Sequence, residues 1–206
     1  MSLLLFAFLF YFVFSLADAS KIRWENRFVG QKGDKCLVTI DGTTYKVHNL
    51  TKLKWSQRKE WYDYKHNHFG IKYEIAVCIV TGWIVHYNGP FKGSIHDLTI
   101  FRWGLKKLLS LLEKVMADLG YVGDATVITP KDATSNQHRL AMKELRKRHE
   151  TINGKMKTFE CLRNQWRHSL DKHHIAFRGC LVIVQLCIEN GREVYNVEGY
   201  SDPIFD

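Results

Sequence analysis

The run IKYEIAVCIV, residues 71 to 80, constrains this chain more than any other stretch. It alternates apolar and polar residues and then becomes continuously apolar. Alternation with period two marks a strand, and an unbroken apolar run marks a strand covered on both faces. Thr81-Gly82 then supplies a hairpin turn into a second β-rich run, WIVHYNGP, residues 83 to 90. A third, CLVTIDGT at 36 to 43, precedes them and ends in Asp-Gly. Residues 97 to 112 carry Leu98, Phe101, Leu105, Leu108 and Leu112 at helical spacing. Val115 to Asp118 reads as a strand, and Ala125 to Thr129 as another, stopped by Pro130. Residues 136 to 159 read as one long helix, and 173 to 189 as a mostly apolar second, stopped at Asn190-Gly191. Three strands in a meander, then a crossover through a helix, give an α/β fold: a mixed sheet flanked by helices.

At 206 residues and 46% hydrophobic content the chain suits one domain, with a short appendage. Its net charge of +9 favours a polyanionic partner such as nucleic acid or an acidic membrane surface. Cys36, Cys78, Cys161, Cys180 and Cys187 form no CxxC pair and no zinc spacing, and apolar neighbours mark them as buried free thiols of a reducing compartment.

The N-terminus stands apart. MSLLLFAFLFYFVFSLADAS has no side-chain charge before Asp18, and its apolar run is shorter than the ~20 residues of a transmembrane helix. It is similar to a signal h-region without a basic n-region, and Asn49-Leu50-Thr51 is a glycosylation sequon. Three readings of residues 1 to 19 stay open: a signal or membrane anchor, a truncated reading frame, or a helix that once joined a missing domain. Residues 3 to 14 are expected to form a helix not needed by the sheet. We divide the chain into this hydrophobic segment and lead-in, residues 1 to 30, and one domain, residues 31 to 206.

Carboxylates point to chemistry. Asp41 ends the first strand, and Asp118 ends the strand after the crossover helix, in VMADLGY. A right-handed crossover lays those strands side by side, with both acids at the carboxyl edge where open α/β sheets bind ligands. Two such carboxylates repel each other unless a cation is shared, and oxygen ligands suit Mg²⁺ or Mn²⁺. In RKRHETINGKMK, helical spacing places Arg146, Glu150, Asn153 and Lys157 on one face. Leu145, Ile152, Met156 and Phe159 line another, the expected core face. The plainer readings are a solvated helix face, a turn at Asp41-Gly42 and a loop cap at Asp118.

DGT at 41 to 43, GSIHD at 93 to 97, ADLGY, RHETINGKMK and FRGCLVIVQLCIENG occur in that order. Together they resemble the DDE superfamily endonucleases, the catalytic domains of Harbinger-related and bacterial insertion-sequence transposases, over residues 22 to 200. The resemblance implies a ribonuclease-H-like fold with a five-stranded mixed sheet. It implies Asp41, Asp118 and Glu150 as catalytic and metal-binding acids, two Mg²⁺ (or Mn²⁺) ions, and no small-molecule cofactor. Asp97 matches a further acid of the family, read as auxiliary or as the cap of the helix it opens, and Asn153 is also auxiliary. Gly42 and Gly120 would let the DNA backbone approach. Arg146, Lys157, Arg163, Arg167 and His168 would contact phosphates without reading sequence.

Implied with these are cleavage or strand transfer on DNA and a nuclear or intracellular location, with a secretory or membrane location as the alternative from the N-terminus. A homo-oligomer and a separate DNA-binding partner protein are further expectations, since about 35 greasy residues precede the first strand where relatives carry a DNA-binding region. A catalytically inactive remnant that binds DNA or protein is the alternative function.

Overall fold

The computed structural model describes residues 21–29, 36–48, 50 and 53–192. Residues 3 to 14 and the Asn49 sequon lie outside them. Strand β1, Cys36–Lys46, runs antiparallel to β3, His68–Cys78, with Asp41 opposite Ile75 and Gly42 opposite Glu74. After the short α1, Trp55–Lys59, the two-residue β2, Tyr62–Asp63, pairs with the start of β3, and β4, Ile84–Lys92, pairs along β3 after the Gly82 turn. Gly82 sits at φ 71°, the left-handed region that glycine enters freely. On the other side of β1 lie β5, Lys114–Met116, and then β6, Val127–Ile128, both parallel. The main order is β4-β3-β1-β5-β6, a mixed sheet of the ribonuclease-H-like kind. It has six strands where five were expected, because β2 lengthens the edge that β4 occupies.

One face carries α2, Asp97–Trp103, whose Phe101 joins Val38, Ile40, Ala76 and Val115 in a core. The helix expected over 97 to 112 is shorter. It stops at Gly104, where a Cβ would fall 2.0 Å from the Asn88 Nδ2 atom. A 3₁₀ turn, Leu105–Leu108, follows and keeps Leu105 buried, whereas Leu111 and Leu112 are 98% and 78% exposed. The other face carries α3, Asn136–Met156, and α5, Leu170–Glu189, joined through the short α4, Glu160–Arg163. Ile152 and Met156 of α3 and Phe177, Leu181 and Val184 of α5 pack on Tyr45, Tyr73 and Ile75. Met142 and Leu145 cover Met116 and Ile128.

The 3₁₀ helix Trp24–Phe28 is tied to this body by Arg27, whose Nε lies 2.7 Å from Glu113 Oε1, both side chains buried. Burial costs such a pair much of its Coulombic gain, so it specifies where the segment docks more than it adds stability. None of the five cysteines is in a disulfide. Cys36, Cys78 and Cys180 are buried as expected, but Cys187 is half-buried and Cys161 is exposed, although its Sγ lies 3.7 Å from that of Cys180. No described helix is long and apolar enough to cross a membrane.

Candidate active site

Asp41 lies in the middle of β1, not at its end. Parallel pairing with β5 stops at Thr39 and Met116, while β1 continues to Lys46 against β3 alone. The sheet opens at this point, and the chain leaving β5 turns away at Asp118. Asp118 thus stands just past its strand, capping the 3₁₀ turn Leu119–Tyr121, with Oδ1 accepting the Gly120 amide at 2.8 Å. The capping role and the edge position hold together, since Oδ2 remains on the side of Lys65, 3.9 Å away.

The two acids sense each other. Burial first, then the Asp118 carboxylate and more weakly Asp97, push the Asp41 carboxyl up to about 7, against Lys65 and Arg146. Asn153 donates to Asp41 Oδ2 at 3.4 Å. Asn153 therefore faces the site, as its place on α3 suggested.

Asp97 lies on the opposite face of the sheet from Asp41, because neighbouring residues of a strand point to opposite sides. A Cβ on Gly42 would meet its Oδ1 at 2.7 Å, and a Cβ on Gly120 would meet its Oδ2 at 3.2 Å. Both glycines thus come close to the Asp97 carboxylate, a Cβ on Gly120 meeting Asp118 Oδ1 first, at 2.9 Å, and Gly42 also borders the cleft beside the acids. Asp97 opens α2 and is held by Lys72 Nζ at 3.0 Å, not by a side-chain cap bond of its helix. Gly42→Ala forces that carboxylate to shift. We expect a loss of about tenfold in any Asp41-dependent cleavage, about 1.4 kcal/mol, with little loss of DNA affinity. Measuring rate and affinity on the same variant checks this.

Glu74, opposite Gly42, shares this face and is fully buried. Neither of its oxygens has a hydrogen-bond partner among the described residues. Burial pushes its carboxyl up to about 8, with Asp97 and Asp41 adding to the rise and the nearby Tyr121 hydroxyl opposing it. Glu74 is thus a neutral acid behind the site, which its strand position in IKYEI did not reveal.

Glu150 stands apart from the pair. It is on the same helix face as Arg146 and Asn153, but its carboxylate lies 3.8 Å from Arg146 Nε, with both side chains about two-thirds exposed. Among the described residues no three His, Cys, Asp or Glu groups converge as a metal site. Even so, the donors at hand suit a hard cation. They are oxygens only, and two carboxylates line one cavity, the charge of Asp118 adding to the burial that raises Asp41.

Beside the acids runs a cleft of about 570 Å³. Arg146, Lys157 and Arg163 border it, as does Asn153. So do Lys46, Lys65, His66 and His68, which sequence reasoning passed over although KHNH at 65 to 68 is a basic cluster in a turn. Arg167 and His168 are exposed on the segment after α4 and are not among the cleft's lining. His149, the other histidine nearby, is a core group. It is buried, its Nε2 is 2.7 Å from Thr39 Oγ1, and burial lowers its pKa to about 4.

A family model described as DDE superfamily endonuclease matches residues 40–187, the greater part of the chain. No curated protein and no solved structure matches significantly.

Proposed function

Because this chain belongs to the DDE superfamily endonucleases, we propose that it cleaves DNA phosphodiester bonds at Asp41 and Asp118. Glu150 completes the set of acids, and Mg²⁺ or Mn²⁺ is held among them. The family supports a transposase-derived nuclease in general terms. The observation that carries the finer reading is the pair of half-buried acids, Asp41 raised by burial and then by the Asp118 charge, set beside a cleft lined with cations.

Divalent ions bound there supply Lewis-acid charge to the nucleophile and to the departing 3′-oxygen. The protein's own groups do the rest. The Gly120 amide fixes Asp118, and Asn153 steadies Asp41. Lys65, Arg146 and Lys157 hold the strand by its phosphates. Asp41 releases its proton before it can act as a ligand, so cation binding and proton release are linked. Glu150 joins when its side chain leaves Arg146, an exposed pair worth only about 0.3–0.5 kcal/mol. The same pairing favours a second reading, a DNA-binding remnant whose third acid no longer engages. Nicking of supercoiled DNA in Mg²⁺ decides between them: cleavage that EDTA stops supports the nuclease, and binding without cleavage supports the remnant. We further propose a nuclear location and, for target choice, a partner protein or a second copy of the chain.

Two expected results follow. Asp41 and Glu74 have carboxyls raised in the folded state, to about 7 and about 8. The unfolded chain releases these protons near the ordinary carboxylate range. The contribution of the neutral acids is therefore complete below about pH 4 and is lost as pH rises through 7 to 8. Metal-free protein should melt at lower temperature at pH 8 than at pH 5. Mg²⁺ should restore more of the melting temperature at pH 8, because only the ionised site binds it. A uniform Mg²⁺ effect across that range would separate the raised acids from metal binding. Lys157→Ala should weaken DNA binding and flatten the plot of log affinity against log salt by about one unit of slope. Titrations at several salt concentrations measure it.

A further inference from the structure

A second cavity, of about 260 Å³, opens beside the acids and is distinct in character from the basic cleft. Met116, Leu119, Pro130 and Met142 give it apolar walls, and Asp41 and Asp118 line it as well. Arg139, Lys143 and Arg146 also line it. They follow one another by four and three positions on α3, so they form one row on the helix surface. Asp41 and Arg146 border both this cavity and the cleft, which makes the two spaces neighbours.

This charge arrangement selects an occupant. The carboxylates repel an anion placed beside them. The cation row repels a positively charged group. The apolar walls favour a neutral, flat group, and the volume is below the roughly 300 to 1,000 Å³ that takes a drug-sized molecule. A nucleotide meets all three conditions, with its base among the walls and its phosphate on the row. We propose that the cavity receives one unstacked nucleobase from the nucleotide next to the scissile phosphate. The inference rests on the nuclease reading above and adds a base subsite to it. Extruding a base from a duplex is costly and from a single-stranded end least so, and the pocket would therefore favour frayed or overhanging DNA. The apolar walls are sulfur and aliphatic groups, and the Thr39 hydroxyl and His149 ring that also line the cavity are bonded to each other, so the walls would accept any base.

The probe is a short duplex with a 3′ overhang carrying 2-aminopurine at each of its last three positions in turn, whose emission rises when the base leaves the stack. Emission and, from a dye on the far end, anisotropy are recorded as the full chain is added without divalent metal. We expect emission to rise severalfold at one of the three positions on binding. Met142→Phe and Leu119→Trp, which enlarge two side chains that line the cavity, should remove that rise and weaken binding about tenfold. Melting curves establish that at least one of them is folded. Binding by anisotropy with flat emission at all three positions overturns the base subsite. So does a rise that survives in a folded variant. Mg²⁺-dependent nicking by the same protein would then leave the nuclease reading standing. Absence of binding by anisotropy overturns the subsite and the nuclease reading together.

Discussion

Asp118→Asn should reduce strand cleavage by about a thousandfold or more, about 4 kcal/mol of transition-state stabilisation. The change is nearly isosteric. The amide oxygen can still accept the Gly120 N–H that Asp118 Oδ1 now accepts at 2.8 Å, so the 3₁₀ turn survives. What is lost is a negative charge beside Asp41. Without it Asp41 should ionise at lower pH, since the Asp118 carboxylate is the largest charge that raises it. DNA binding should not weaken, and without metal it should tighten slightly, because one repulsive charge near the phosphates is gone. Nicking rate and DNA affinity, titrated in Mg²⁺ for the parent and the variant, give both quantities. Cleavage unchanged by Asp118→Asn removes that residue from the active site.

Phe177→Ala should cost about 3 to 5 kcal/mol of folding stability, the range for a buried ring removed from a packed core. Phe177 lies on the inner face of α5, with its ring stacked on Tyr73 at 3.7 Å between centroids and 10° between planes. Tyr45 and Tyr87 flank it at 5.7 and 5.8 Å. The cavity left behind is enclosed by β1, β3 and β4, which the sheet's hydrogen bonds keep from collapsing. Urea unfolding of parent and variant measures the loss. A cost below about 1 kcal/mol would mean that α5 repacks freely on the sheet.

Much of this fold was legible because its signals are local. Strand β3 announces itself by an apolar run, the hairpin by Thr81-Gly82, and α5 by its apolar length ending at Asn190-Gly191. The end of α2 was not legible, since Leu108 and Leu112 continue a helical spacing that tertiary contact interrupts. Gly104 has to lie against Asn88, which is distant in sequence. The added strand β2 was hidden for a related reason: two residues carry no period, and only the edge of β3 makes them a strand.

The site divides in the same way. Asp41, Asp118 and Asn153 could be placed from strand order and helix spacing. Glu74 could not, because an acid within a strand reads as a solvent-facing residue until the covering helix is known. Lys65 and His66 come to the cleft through the turn before β3, whose path no periodic pattern sets.

The Asp97 carboxylate wedged between Gly42 and Gly120 works as a gauge block. One of these glycines adjoins Asp41 and the other follows Asp118, so the spacing of the two acids is set from behind the sheet and by a rigid part. A side chain added at Gly42 would displace the shared wedge and be felt at Gly120, and one added at Gly120 would press on Asp118 Oδ1 before it reached the wedge. These three positions therefore have little freedom to drift singly over evolutionary time. A longer residue at one is tolerable only with a shorter one at another, so the separation of the acids is inherited as one dimension.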